Sequence, residues 1–540
     1  MRFAMLPRSL ATFFALLSAL VFMTACGETN EPPPDTSQPD VIDLDVPVSD
    51  VSNDVPAGDV VNPDVVEEHV SRLHADGMNI VDKDGNVVLL KGVNLGGYLY
   101  HETWMTLVDY SIFARAFVVA LDLDLVELIR PILESLGPAN ISGMVSVEDG
   151  DGNVLSDDAW ILLFKEAVNT ELDDASAAAY IEEYDKYLPA IYTDSDMPLY
   201  QKLEQRFGTE VRDELFDTYL GAWIQEKDIQ WLSEQGFNLV RVPIGYRALT
   251  KGSHLAPPTE LVWNEATFAR IEKLLDWCET WGVYAVIDIQ ECPGGQNDYS
   301  GEALLYGSDL YQQLTVQLWE ELSTRFINRN IVAAYSLLAE PMSAPSPKAR
   351  DDMYDKLVKA IRAKGDDHLL VIHDGFKGMD SLPLPEKYGW EDVVYSTHLF
   401  EWGARDFDSY KGVIDLYDMY FKTTQEKQNV PWFIGSFSAI FDAPWAYDAV
   451  AYTLDFYSRN GWSWSLWSYK YIQDPIAEEI WNDSASWGLK SHLPGSFERP
   501  DVFKDDQATL MQKLGLYADL ELEVNQSLLD VLKADIVAVP

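Results

Sequence analysis

Short, nearly continuous apolar runs recur along the chain at Leu89–Val93, Leu239–Val242, Tyr284–Ile289, Ala333–Leu338, Leu369–Ile372, Val393–Tyr395, Trp432–Ile434 and Trp462–Leu466. Runs of this length that do not alternate with polar residues read as strands buried on both faces, the signature of a parallel sheet. Between them stand stretches with helical spacing. In Asn264–Trp281, the residues Phe268, Ile271, Leu274, Leu275 and Cys278 make one apolar stripe, with Asn264 placed to cap its start and Gly282 to stop it. Leu310–Phe326, Ala349–Lys364 and Tyr447–Asn460 behave alike, the last two halting before Gly365 and Gly461. Eight strands alternating with helices predict an α/β fold, a (β/α)8 TIM barrel.

Several stretches fall outside that rhythm. Asn79–Val88 reads as a hairpin turning at Asp84-Gly85. A long insertion, from Met105 to about Phe216, follows the first strand. It holds a helical stretch, Phe117–Leu133, and an acidic turn, Glu148–Asn153, where Val154 occupies a position at which a calcium loop needs glycine. Beyond Pro500, Asp506–Leu516 and Leu520–Leu532 predict peripheral helices. Residues 27–68 lack Lys and Arg and repeat Asp-Val at Asp45, Asp50, Asp54, Asp59 and Asp64, which predicts a disordered acidic linker. The expected organisation is therefore 1–26 leader, 27–68 linker, 69–500 barrel with the insertion at about 105–216, and 501–540 helical extension.

Charge and composition narrow the partners. A net charge of −49 over 540 residues repels phosphates, excludes nucleic acid and offers no basic patch for anionic lipids. A neutral sugar is compatible with it, and the chain carries 17 Trp and 27 Tyr, some of which can stack on sugar rings while most pack the core. Arg2 and Arg8 precede an apolar run, Leu10–Met23, which reads as an export signal. Met23-Thr24-Ala25-Cys26 resembles a bacterial lipobox, implying lipidation at Cys26 and a cell-envelope protein, at the outer membrane or cell surface, touching the membrane only through that lipid. Cys278 and Cys292 are expected at opposite ends of one α/β unit, too far apart for a disulfide. No metal-type Cys/His cluster occurs, and no cofactor is expected.

In such barrels the functional site lies at the C-terminal ends of the strands. Those ends carry Asn94–Gly97, Arg241-Val242-Pro243, Asp288–Gln290, Ala339-Glu340, Asp374, Thr397-His398, Gly435-Ser436 and Trp467, a polar and aromatic set suited to a sugar. Lys91-Gly92-Val93-Asn94-Leu95-Gly96-Gly97, Arg241–Tyr246, Pro293-Gly294-Gly295-Gln296-Asn297, Glu340-Pro341, His398 and Gly435-Ser436-Phe437-Ser438 occur in this order. Together they resemble glycoside hydrolase family 5, in particular its exo-β-1,3-glucanase-like branch, over roughly residues 76–490.

The resemblance implies a retaining mechanism on a β-linked glucan or related oligosaccharide. One Glu protonates the leaving oxygen and a second, about 5–5.5 Å away, attacks the sugar carbon. Glu340 matches the acid/base, Arg241 the arginine that supports the nucleophile, His398 a strand-six histidine and Trp467 the aromatic floor. Gln296 and Asn297 are retained from the loop that borders the substrate. Four positions depart: Ser436 stands at the nucleophile position, Ala339 replaces an Asn, Gln290 a His and Phe400 a Tyr. Without the second carboxylate, Arg241 is expected to pair with Glu340 and hold it ionised, and no neighbouring anion is expected to raise its pKa. Glu291 and Glu401 are the alternative second carboxylates, each expected to be a solvated loop residue, and Trp402, Trp481 and Trp487 are further aromatic candidates. The resulting expectation is a glycan-binding protein whose retaining hydrolysis is lost or much reduced. A working β-glycosidase or transglycosidase with an altered nucleophile, and a structural lipoprotein with a vestigial pocket, stand as alternatives.

Overall fold

The computed structural model describes residues 70–102, 169, 176–178, 195–297, 303–401, 404–438, 443–472, 487–492, 497–502 and 504–537. The leader with Cys26, the linker, Phe117–Leu133, the Glu148–Asn153 turn, Trp402 and Trp481 all lie outside them.

Eight of the described strands close into a parallel barrel: β3 (Lys91–Asn94), β4 (Leu239–Gly245), β5 (Tyr284–Glu291), β6 (Val332–Ser336), β7 (Leu369–His373), β8 (Val393–Leu399), β9 (Trp432–Phe437) and β10 (Ser463–Leu466). They follow chain order around the barrel, and β10 pairs with β3 to close it. Each apolar run contributes one strand. Closure draws β3 and β4 together so tightly that a Cβ at Gly92 would lie 1.9 Å from the Leu239 carbonyl oxygen, which explains the glycine there.

The predicted hairpin forms differently. A short β1 (His74–Asp76) pairs antiparallel with β2 (Asn79–Val81), and the turn at Asp84-Gly85 joins β2 only to a single bridge, Val81 to Val87. Backbone bonds from Asp82 N–H to Asn86 O (3.0 Å) and from Val88 N–H to Ile80 O (2.8 Å) close that turn, and the Asp82 carboxylate adds bonds from the backbone of Asp84 and Asn86.

Helices fill the connections: Glu265–Trp281, Asp309–Phe326, Pro347–Ala363, Phe407–Gln428 and Ala446–Arg459. Gly282 stops the first in the left-handed region, as expected, whereas the Asn264 side chain makes no capping bond. Two long helices went unread in the sequence. Phe407–Gln428 is one, and Met197–Trp223, which runs through the expected end of the insertion and is broken at Gly208 (φ +82°, ψ 170°), is the other. Leu520–Leu532 was read as one helix, but Glu523–Val524 forms a short strand, β13, and the helix is Gln526–Val537. Cys278 lies at the entry end of β5 and Cys292 just past its exit, both buried and free.

The C-terminal helix seals the end of the barrel away from the site. Its buried Asp535 carboxylate lies 2.9 Å from Lys91 Nζ and accepts from Trp464 Nε1 at 3.0 Å, and Ser458 Oγ also donates to it. Lys91 Nζ also donates to the Asp535 carbonyl (2.7 Å), so Asp535→Ala should leave the buried ammonium without its counter-charge and the indole N–H without its acceptor, at a cost of about 3 kcal/mol. Urea unfolding checks this, and a loss under about 1 kcal/mol would mean the seal contributes little.

Candidate functional site at the C-terminal mouth of the barrel

Arg241, buried on β4, organises the mouth. Its Nη1 donates to Asn94 Oδ1 (2.7 Å) and weakly to Ser436 Oγ (3.4 Å), and its Nη2 donates to Gln290 Oε1 (3.1 Å). Asp288 Oδ2 lies 2.8 Å from the same Nη2. A guanidinium taken out of water must be neutralised and hydrogen-bonded, and these four side chains from β3, β5 and β9 do so. The expected pairing of Arg241 with Glu340 does not occur. Its anion is Asp288, two residues before Gln290 on β5 and therefore on the same face. Burial pushes the Asp288 carboxyl above the usual range, with the Arg241 charge opposing. Asn94 in turn donates to the carbonyls of Gly435 (3.1 Å) and Leu466 (3.0 Å), tying β3 to β9 and β10. Among the strand-end residues, Asn94 and Asp288 were visible without a role; the inward alternation of Asp288 with Gln290 was the signal that could have assigned one.

Glu340 lies beyond the end of β6, where Leu337 N–H still donates to Val371 O (3.1 Å) and Ala339 N–H to Ile289 O (2.9 Å). At φ +45° its backbone is left-handed, a conformation costing about 1–3 kcal/mol for a residue with a side chain. Its surroundings hold it there. Asn297 Nδ2 donates to the Glu340 carbonyl (3.2 Å), and Gln296 Nε2 donates to the carbonyls of Ala339 (2.8 Å) and Gln290 (2.7 Å). Gln296 Oε1 accepts from Cys292 N–H at 3.1 Å. Fully buried and engaged at both ends, Gln296 braces the backbone and does not face a ligand as expected. Ala339 presents a buried methyl group.

The Glu340 side chain keeps 18% of its exposure, and Oε1 lies 2.5 Å from His398 Nδ1. Burial raises its pKa to about 7, with the Arg241 charge opposing. The expectation of a permanently ionised Glu340 is thus reversed: burial replaces the missing anion as the source of the upward shift. His398 is pushed well below its usual range by burial and then by Arg241, so its ring is neutral. It is wedged against Gly435, where a Cβ would stand 2.7 Å from Nε2. His373 packs edge-on against it at 4.5 Å between ring centres.

Ser436, only 2% exposed, pairs in register with His398 across β8 and β9. Neither alternative carboxylate is the fully solvated loop residue expected. Glu291 is fully buried, not solvated, 2.5 Å from Arg247 Nη1, and accepts from Ser195 Oγ at 2.7 Å. Glu401 is half-buried and accepts from Tyr417 OH at 3.2 Å. Trp467 follows β10 and forms an aromatic group with Tyr471, against which Phe400 and Trp487 pack. Among the described residues, no group of His, Cys, Asp or Glu could hold a metal. The mouth therefore joins one carboxyl poised near neutrality, a neutralised arginine, a serine and an aromatic wall.

A closed eight-stranded parallel barrel with helices in its connections is a (β/α)8 barrel of the TIM class. The family model "Cellulase (glycosyl hydrolase family 5)" matches residues 202–473, just over half the chain, and the chain belongs to glycosyl hydrolase family 5. It is similar to glucan 1,3-beta-glucosidase 2 of Saccharomyces cerevisiae, 26% identical over 223 residues, covering 37% of this chain and 39% of that protein. It is also similar to endoglucanase C of Acetivibrio thermocellus, 27% identical over 188 residues, covering 35% of this chain and 52% of that one. The chain thus spans between two fifths and about half of the length of these relatives. Among solved structures it resembles an endogalactoceramidase, with a TM-score of 0.47, 17% identity, and 83% and 85% of the two chains covered. Thermotoga maritima Cel5A with cellobiose gives a TM-score of 0.41, 18% identity, and 55% and 91% coverage.

The Glu340 shift carries a stability signature. With a folded-state pKa of about 7 against an ordinary 4.5, the native state holds the proton more tightly. That contribution is complete below about pH 4.5 and is lost as pH rises through 7. Relative to Glu340→Gln, the native chain should lose on the order of 3 kcal/mol between pH 4.5 and 8. Urea denaturation at the two pH values measures this, and a pH-independent difference would refute the raised pKa.

Proposed function

We propose that this chain is an exported, lipid-anchored family 5 protein whose barrel mouth binds a β-linked glucan or related oligosaccharide, with retaining hydrolysis lost or much reduced. The observation that carries the reading is Ser436, set in register with His398 and opposite the Glu340 acid, where retention requires a second carboxylate. Asp288, the other carboxylate at the mouth, is fully buried and committed to Arg241 at 2.8 Å. Electrostatic stabilisation of the oxocarbenium-like transition state is therefore missing its largest source.

Sugar binding draws support from groups that still face the mouth. Gln290 is partly exposed, and with Oε1 committed to Arg241 its NH2 group has no protein acceptor among the described residues. Trp467 and Tyr471 are buried, and the partly exposed Phe400 and Trp487 that pack against them offer an apolar edge for sugar C–H groups. The names of the relatives, which include glucan 1,3-beta-glucosidases and endoglucanases, favour β-glucans as the first ligands to try.

A second reading, an active glycosidase, draws on the Glu340 pKa of about 7, which keeps the acid half of the chemistry available at neutral pH. Affinity electrophoresis in laminarin should retard the protein. Activated aryl β-glucosides should turn over no faster with the native chain than with Glu340→Gln. Turnover that vanishes in the variant would establish the second reading, and no retardation in any glucan would remove the first.

A further inference from the structure

Between β7 and β8 the chain passes through two single 3-10 turns, Met379–Ser381 and Pro385–Lys387, where the other connections between barrel strands hold helices. The next helix, Phe407–Gln428, is held on one flank by Ala446–Arg459, whose Arg459 Nη1 donates to Asp418 at 2.8 Å. On the other flank it meets that irregular connection, where Gln428 Nε2 donates to Met379 O at 2.7 Å. Its outward face is apolar and uncovered, with Leu416 46%, Met419 71% and Tyr420 43% exposed. Gly412, Leu416, Met419 and Thr423 are all exposed and follow one another at steps of four, three and four residues. That spacing makes the straight stripe on which a second helix seats.

We propose that this stripe pairs with the same stripe of a second copy of the chain, antiparallel about a two-fold axis. Charge selects that occupant. A chain of net charge −49 repels its own copies, so a self-contact must bring its opposite charges with it. With Leu416 packed against the partner's Met419, the axis sets each flank of the helix against the same flank of the partner. One flank carries Asp415 and Lys422, both exposed and neither in an ion pair among the described residues. Asp415 then meets the partner's Lys422, and the pairing occurs twice. The opposite flank brings Val413 against the partner's Tyr420, and Gly412 meets the partner's Thr423, where small side chains allow close approach. A parallel pair would instead set Lys422 beside the partner's Lys427.

This helix runs back along the barrel from the mouth end, so an antiparallel pair directs the two mouths in opposite senses. On the glucan-binding reading, such a dimer joins separate glucan chains and gains avidity for a polymer over an oligosaccharide.

Sedimentation equilibrium of the full chain at up to about 100 µM, where an interface of micromolar strength is populated, should give a monomer–dimer equilibrium. Met419→Glu, a charge at an exposed position, should raise the dissociation constant by about 30-fold or more. Lys422→Asp faces the partner's Asp415 and should raise it by about tenfold, and adding Asp415→Lys should restore it. A monomer at every concentration overturns the inference. So does a dimer indifferent to Met419→Glu, or one in which the charge exchange restores nothing. A monomer that binds phosphatidylcholine vesicles through Met419 also overturns it and gives the face to lipid. Glucan binding, read separately by affinity electrophoresis, stands or falls without reference to these outcomes.

Discussion

The mouth of this barrel is built on a buried positive charge. Arg241 sits where water cannot neutralise it, so the surrounding strands must. Asp288 supplies the anion, Asn94 and Gln290 supply acceptors, and Ser436 takes the remaining weak contact. These side chains come from three strands far apart in the chain, and Asn94 also fastens β3 to β9 and β10 through the carbonyls of Gly435 and Leu466. Closure of the barrel and the electrostatics of the site are thus one arrangement.

That arrangement also sets the state of the Glu340 carboxyl. In a retaining glycosidase, a neighbouring anion helps to raise the acid's pKa. Here Asp288 absorbs Arg241, and burial against neutral His398 shifts Glu340 upward instead. The backbone of Glu340 is held in a left-handed turn by Asn297, with Gln296 bracing the residues before it. The loop residues retained from the family therefore maintain the position of the acid.

Much of the fold was legible because it depends on local periodicity. Eight apolar runs became eight barrel strands, and glycines marked helix ends such as Gly282, since left-handed stops are inexpensive only without a Cβ. Helices such as Met197–Trp223 and Phe407–Gln428 were missed because their buried faces are interrupted by charged or exposed positions. Their partners come from distant parts of the chain. Of the candidate site, Arg241 lies against Gln290 and Ser436, and His398 against Glu340. Gln296 turned inward, and Glu291 proved to be buried against Arg247.

By itself, the order of residues determined the barrel, the family resemblance, and the absence of a carboxylate at Ser436, because these depend on residue type and spacing along one strand. Only the tertiary structure decided who pairs with whom. Arg241 could have neutralised Glu340 or Asp288, and both carboxylates stand at strand ends. The choice rests on register and on alternation around a closed sheet, which place Asp288 within 2.8 Å and leave Glu340 to His398. Ion pairing falls steeply with distance and dielectric, so displacements of a few ångströms, fixed by closure, set the protonation of the acid.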